Sequence, residues 1–455
     1  MARSIAAALA RIKQQDPLAV IRPDAVGDLC RESHYDGWRE RQLDPAVTLA
    51  LFVQQVIHGN TSCTEVRYLA GGASFTASAW CQARTRVPLE VYQGMLSRVC
   101  EAALPRTREP DHLWHGHRTF HVDGSTFSMP DTPDLRRAFG RPPHEREGGC
   151  GFPVAHLLVL FNAATGLLID AFASPLRTGD VAQANDYLAH LDEGDVVIAD
   201  DMFSGWAHVA LLAQKKLHAV VPNHHLRIVD FAPGRPHTKL SGKHVVAGRP
   251  RARWIRSLGK DDQLVEWFKP KGCPAWMTQQ QYDALPPSVT VRELRRRVRR
   301  ADGRRITATI ITTLLDPLRY PAGELVTLRL RRWDVETNLR HLKSTLGLDV
   351  LHCKSEGGVR RELAVFCLVY NLVRVIMLEA ADRQQVPVTR ISFADALKWM
   401  RHARAGDRLP DLIVNPWRPG RIEPRCRKRR EKQYDLMNKP RHVLRLALKM
   451  RRDND

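Results

Sequence analysis

The chain has 455 residues, a hydrophobic fraction of 44% and a formal net charge of +21 at pH 7. That length exceeds one ordinary core and calls for roughly two to four domains, while the apolar content excludes a disordered chain. The positive excess points to a polyanionic partner, nucleic acid before an anionic membrane. The membrane reading is weak: Leu363 to Leu378 is apolar but broken by Asn371 and Arg374, and Ile5 to Ala10 is too short for a signal segment. Nine cysteines stand singly without a C-x-x-C pair, which argues against a disulfide framework and a zinc cluster.

In chain order, residues 1 to about 110 read as helical. Pro45 to Ile57, Thr61 to Ala70, Thr76 to Arg84 and Pro88 to Ala103 carry helix-type apolar spacing. Ser62 and Glu65 have the spacing of a capping box, and Gly71 and Gly72 end the helix it opens. A new helix then starts near Ser74 or Thr76. This outline fits a helix-turn-helix with Trp80, Gln82 and Arg84 on the reading helix, and it fits a plain helical hairpin equally well. Pro105 to Pro110 reads as a linker.

The texture then changes. Arg118 to Phe127 reads as a strand with Asp123 near its middle. Val154 to Phe161 and Leu167 to Ala173 are strands joined by a turn at Asn162 to Gly166. Val181 to Leu191 is helical, Asp195 to Asp200 is a short buried strand, Trp206 to Lys215 is a helix and His218 to Val221 a strand. Three strands followed by alternating helices and strands predict an α/β sheet of mixed direction. From 224 to 320 the chain is strand-rich, with a hairpin of Val289 to Val298 and Ile306 to Leu314 around Ala301, Asp302 and Gly303. Ala322 to Leu346 reads as one helix, and Gly358 to Ala405 is largely helical. Arg418 to Arg452 holds fourteen Lys or Arg against three acids, either a phosphate-contacting segment or a solvated tail.

The helix from 322 to 346 carries an acid, Glu336, on a strip of cations. At about 100° per residue, setting Arg332 to 0° puts Lys343 near about 20°, Glu336 near about 40° and Arg329 near about 60°. Leu328, Val335, Leu342 and Leu346 fall on the adjacent stripe, the side a core would cover. An acid among bases at the edge of a buried face suits a group sharing a metal ion with phosphate. A surface ion pair of Arg332 with Glu336 fits the same geometry.

Two more acids have strand contexts suited to a metal site. Asp123 precedes Gly124, where the strand can turn, and Asp200 ends Val196 to Ala199 at the carboxyl edge of a sheet, where α/β sites lie. Neighbours on a strand point to opposite faces, so only one of Asp200 and Asp201 should enter the site; parity leaves the choice open. With Glu336 these acids form a hard-oxygen set suited to Mg²⁺. Two such ions can activate a nucleophilic oxygen and stabilise the leaving oxygen of a phosphoryl displacement, with cations holding the phosphodiester.

The spacing of Arg332, Glu336 and Lys343 resembles the Tyr-x2-Arg-x3-Glu-x6-Lys signature of bacterial DDE transposases of the insertion-sequence-4 family. Similar surroundings extend the resemblance over nearly the whole chain: Val122 to Thr126 with Met129 to Asp131, Ile198 to Phe203, Thr312 to Pro317, Glu362 to Ala364, Tyr370 to Arg374, Gln54 to Cys63 and Lys439 to Arg441. The resemblance implies a ribonuclease-H-like catalytic domain with a mixed sheet and a β-rich insertion, flanked by helical N-terminal and C-terminal regions. The domains are then 1–110 (DNA-binding), 111–223 (first part of the catalytic domain), 224–320 (insertion), 321–350 (last part, with Glu336) and 351–455 (helical, with the basic tail). The insertion agrees with the spacing, since 77 residues separate Asp123 from Asp200 but 136 separate Asp200 from Glu336.

The family pattern selects Asp200 over Asp201 and implies that Asp123, Asp200 and Glu336 bind two Mg²⁺, with Mn²⁺ able to substitute. Arg332 and Lys343 would hold phosphate. Arg329 stands where the signature has tyrosine, keeping a phosphate-binding group but losing the ring used beside a flipped end nucleotide. Trp254, Trp267 and Trp276 of the insertion could stack on such a base, although core packing suits each better. The implied activity is cut-and-paste transposition on double-stranded DNA, transposon ends and target, by a homodimer in the synaptic complex, in a cytoplasmic, nucleoid-associated protein. A metal-dependent nuclease of the same fold and a non-catalytic transposon-derived repressor or inhibitor are the rival readings.

Overall fold

A computed structural model describes residues 22–38, 42–71, 75–142, 151–238, 249–299, 305–403, 407–416 and 441–452. Its nine strands are β1 (Thr119–Ser128), β2 (Val154–Asn162), β3 (Leu168–Pro175), β4 (Val196–Ile198), β5 (His218–Pro222), β6 (Arg253–Gly259), β7 (Asp262–Phe268), β8 (Ser288–Arg299) and β9 (Arg305–Thr312). They form one sheet in the order β3-β2-β1-β4-β5-β9-β8-β7-β6. β1 to β3 form an antiparallel meander, and β4 and β5 run parallel to β1. This is the ribonuclease-H-like arrangement. The strands between 224 and 320 extend the same sheet, because β9 pairs antiparallel with β5.

Period-two burial separates the two faces of the sheet. Along β2, Leu157, Val159 and Phe161 pack into one apolar cluster, and Leu158 and Leu160 into another. The first cluster contains the N-terminal helices Pro45–Ile57 and Leu89–Thr107 and the long helix Glu356–Gln384. Among the described residues that helix alone is long and apolar enough to cross a membrane, and its apolar window is entirely buried inside the protein. Its polar residues serve the sheet. Asn371 donates to Leu168 O at 2.7 Å and accepts from Leu168 N at 2.9 Å, Tyr370 donates to Gly166 O at 2.9 Å, and Arg374 donates to Thr165 O at 2.8 Å. These side chains lock the β2–β3 turn, where Gly166 has φ +70° and a Cβ would collide with the Arg374 guanidinium. Glu362 likewise accepts from His352 N and Cys353 N at the helix start.

Several expected elements differ. Pro105 lies inside the helix Leu89–Thr107, so the chain has no linker from Pro105; a short 3₁₀ turn, Pro110–His112, follows. Ser62 does cap Glu65 N at 3.3 Å, but the Glu65 carboxylate turns to Thr61, and the helix shrinks to Val66–Leu69. Val181 to Leu191 becomes a 3₁₀ turn, Asp180–Gln183, and a short helix, Ala184–Leu188. The turn at Ala301 to Gly303, the segment containing Gly72 and Ser74, and the basic stretch from 417 to 440 lie outside the described residues. Arg441–Arg452 is helical, with Leu446 and Met450 exposed.

The helix from 322 to 346 is not continuous. Ala322–Leu330 ends in a tight turn in which Arg332 N, Asp334 N and Val335 N each bond the carbonyl three residues back. Trp333–Arg340 follows, and His341–Thr345 is a π-helical turn closed by Leu346 N to His341 O at 3.0 Å. Such wide turns re-aim side chains and recur at functional sites.

Candidate active site

β1 and β4 bring the first two acids to one edge. His121 is paired with Ile198, and continuing that parallel register two residues sets Asp123 beside Asp200. The strand β4 ends at Ile198, and Asp200 then caps the 3₁₀ turn Asp201–Ser204, accepting from Met202 N at 2.9 Å. The third acid arrives from Trp333–Arg340. Arg332, at the head of that helix, reaches Asp123 Oδ2 at 3.2 Å and Glu336 Oε1 at 3.5 Å. One guanidinium therefore bridges two carboxylates whose parent elements are more than two hundred residues apart. Lys343, in the π turn, donates to Ser125 Oγ at 2.9 Å and pairs with Asp349 at 3.3 Å.

The electrostatics fit a cation site. Burial pushes the Asp123 carboxyl up to about 6, against the attraction of Arg332, with Asp200 and Asp180 adding repulsion. Burial also raises Asp200, with Asp180 and Asp201 pushing the same way. Asp123, Asp200 and Asp180 repel one another at this edge, which a divalent ion on hard oxygen donors would relieve. Asp123, Asp200 and Glu336 are the residues that would hold it. Their oxygens are not drawn into a tight group. Among the described residues, the one set of three such donors within 4.8 Å of one another is Asp201, His224 and His225. Asp201 thus has its own neighbours beside the acidic edge.

Arg329 is half-buried beside this edge. Burial and then Arg332 lower its guanidinium to about 10, while Asp200, Asp123 and Asp201 hold the charge in place. It lines a cleft of about 400 Å³ with Asn223, Thr309 and Arg332. His121, two residues before Asp123 on β1, is buried with neither ring nitrogen bonded. Burial, with Arg332, Arg329 and Arg331 nearby, drives that imidazole down to about 3 and keeps it neutral.

The N-terminal trio separates. Trp80 is fully buried, packs edge-on to Phe52 and donates its indole N–H to Gln55 at 3.1 Å, so it is a core residue and not part of an exposed reading face. Arg84 lies over the Phe52 ring and donates to Gln55 at 3.4 Å and Cys63 at 3.4 Å. Gln82 is exposed. In the insertion Trp267 is buried and bonds Glu293 at 3.2 Å, while Trp254 and Trp276 are partly buried. The sequence reading missed Asp180 and His156, which are in contact next to the acidic edge. The signal for Asp180 was faint: an acid after Gly179, downstream of a strand.

Two further acids, Asp131 and Asp316, prove structural. Asp131 pairs with Arg136 and Arg141, each at 2.8 Å, and Asp316 accepts from Leu318 N at 2.9 Å in a turn.

The sequence model of the transposase DDE domain matches residues 114–372. The transposase InsG for insertion sequence element IS4 of Escherichia coli (strain K12) is 25% identical over 339 residues, 74% of this chain and 69% of that protein. InsZ of the same organism is 28% identical over 147 residues, and the match spans 48% of that protein and 32% of this chain. Among solved structures, a cryo-EM structure of a piggyBac transposase synaptic complex with hairpin DNA overlaps 85% of this chain and 79% of its own, with a TM-score of 0.42 and 8% identity.

Proposed function

The chain belongs to the transposase DDE domain family, and from that premise we propose that it is a cut-and-paste DNA transposase that binds the terminal inverted repeats of its own element. The observation that carries the reading is Arg332 joining Asp123 to Glu336 while Asp200 presses on Asp123. Asp123, Asp200 and Glu336 serve as the catalytic carboxylates. Two Mg²⁺ ions held by them, or Mn²⁺ in their place, would supply activation of the attacking oxygen and stabilisation of the leaving oxygen. Arg332 orients two of the carboxylates, and with Arg329 and Lys343 it presents cations to the scissile phosphodiester. Water attacks in strand nicking and a DNA 3′-hydroxyl attacks in strand transfer, so no protein–DNA covalent bond forms.

The net charge of +21 supports a DNA partner. Holding two transposon ends together requires a dimer in the synaptic complex. End recognition falls to the N-terminal helical region, where Gln82 is the exposed member of the trio and Arg84 stands behind it. The test incubates purified protein with Mg²⁺ and a linear fragment carrying the element's two ends. Joined product supports the transposase, cleavage without joining replaces it with a nuclease of the same fold, and an intact shifted fragment replaces it with a DNA-binding repressor.

A further inference from the structure

Asp180 lies outside the family-like motifs and approaches the acidic edge from another part of the chain. It opens the 3₁₀ turn that follows β3, and that turn packs against the turn begun by Asp201. Its carboxylate presses on Gly124, the residue after Asp123: a Cβ built there would lie no more than 2.7 Å from each of the carboxylate's three atoms. Gly124 is therefore glycine for closeness of approach, and not for its backbone angles. Alternation along β1 turns Asp123 and Gly124 to opposite faces. Asp180 thus comes in from behind the strand that carries Asp123, close enough to raise the charge burden on both Asp123 and Asp200.

Something holds it there. His156 Nε2 contacts Asp180 Oδ1, and the buried His156 ring, on β2 opposite Thr126, has Ser174 Oγ 3.4 Å from its other nitrogen. His156, backed by Ser174, thus holds this carboxylate behind β1, near enough to repel Asp123 and Asp200. In an apo protein that arrangement is repulsive, and close packing retains it at a cost in stability.

We propose that Asp180 is a fourth acidic group of the divalent-metal centre, set behind Asp123 and Asp200, with His156 as its positioning residue. The proposal rests on the metal-dependent reading above and adds the residues that tune its affinity. Outer partners of metal ligands typically change affinity by about 10- to 100-fold. Asp180→Asn keeps the shape and removes the charge. Gly124→Ala keeps all four acidic residues in the chain but displaces the Asp180 carboxylate.

The experiment titrates Mn²⁺ into the purified full-length chain and reads free Mn²⁺ by electron paramagnetic resonance, without DNA. Circular dichroism melts confirm that each variant is folded. The expected result is binding by the parent, loss of it in Asp123→Asn, and roughly tenfold or greater weakening in both Asp180→Asn and Gly124→Ala. The double variant should weaken binding no further than either single change, and His156→Gln should fall between parent and Asp180→Asn. Parent-like binding by Asp180→Asn, with Asp123→Asn still defective, overturns the role of Asp180 and leaves the metal reading intact. No binding by the parent overturns both.

Discussion

Asp123→Asn should make the metal-free protein more stable while abolishing cleavage. The folded carboxyl is raised from 3.8 to about 6 by burial and by its acidic neighbours, with the pull of Arg332 already included. A raised carboxyl costs the fold nothing below 3.8, costs it progressively more as pH climbs from 3.8 to about 6, and costs it the full amount above that. At about 1.4 kcal/mol per tenfold, that gap corresponds to roughly 3 kcal/mol of destabilisation at pH 7. The side chain is 13% exposed, so solvent trims the effect, and about 1–2 kcal/mol is the expected gain for the isosteric amide. The assay is urea unfolding of parent and variant in chelator at pH 7.5 and at pH 4. The variant should have the higher midpoint at pH 7.5, and the difference should vanish at pH 4. Added Mg²⁺ should raise the parent's midpoint but not the variant's. Equal or lower stability of Asp123→Asn at pH 7.5 would refute the claim that these acids strain the apo fold.

Other outcomes follow from single contacts. Asn371→Leu strands Leu168 N and leaves Leu168 O with only the weak Cys100 thiol donor, and should lower unfolding free energy by about 1–3 kcal/mol; a loss under about 0.5 kcal/mol in denaturant titration would contradict that role. His208, buried and held at about 4, stays neutral in the fold while the unfolded chain takes up a proton below 6.5. Its stabilisation is complete above 6.5 and is lost toward 4, so His208→Gln should flatten the fall of the urea midpoint across that window. Lys343→Ala should reduce strand joining in gel assays while leaving Mn²⁺ binding unchanged, since Lys343 bonds Ser125 and Asp349 and none of the three proposed ligands. Binding to the element's ends should weaken steeply as salt rises, and a flat dependence would remove the electrostatic argument.

Much of the architecture was legible in the sequence because local rules act within a few residues. Pro45–Ile57 starts at a proline capped by Asp44, and its bounds agree with the reading. β1 to β5 were readable because each apolar run is bounded by turn residues or charge. The spacing, and the resemblance it carries, put forward the three acids and their cations as candidates, and the fold brings Arg332 to Asp123 and Glu336.

The remainder depended on distance in space. No local rule joins β9 to β5, so the sequence could mark an insertion but not that its strands prolong the catalytic sheet. Trp80 has the spacing of a reading-helix residue, yet Phe52 and Gln55 enclose it from another helix. Helical periodicity from 322 to 346 concealed a tight turn and a π turn, because breaks set by backbone bonding leave little trace in composition. Asp180 is the sharpest case. Its side chain meets Gly124 and His156 across strands, and only packing brings it behind the acids that the sequence had already singled out.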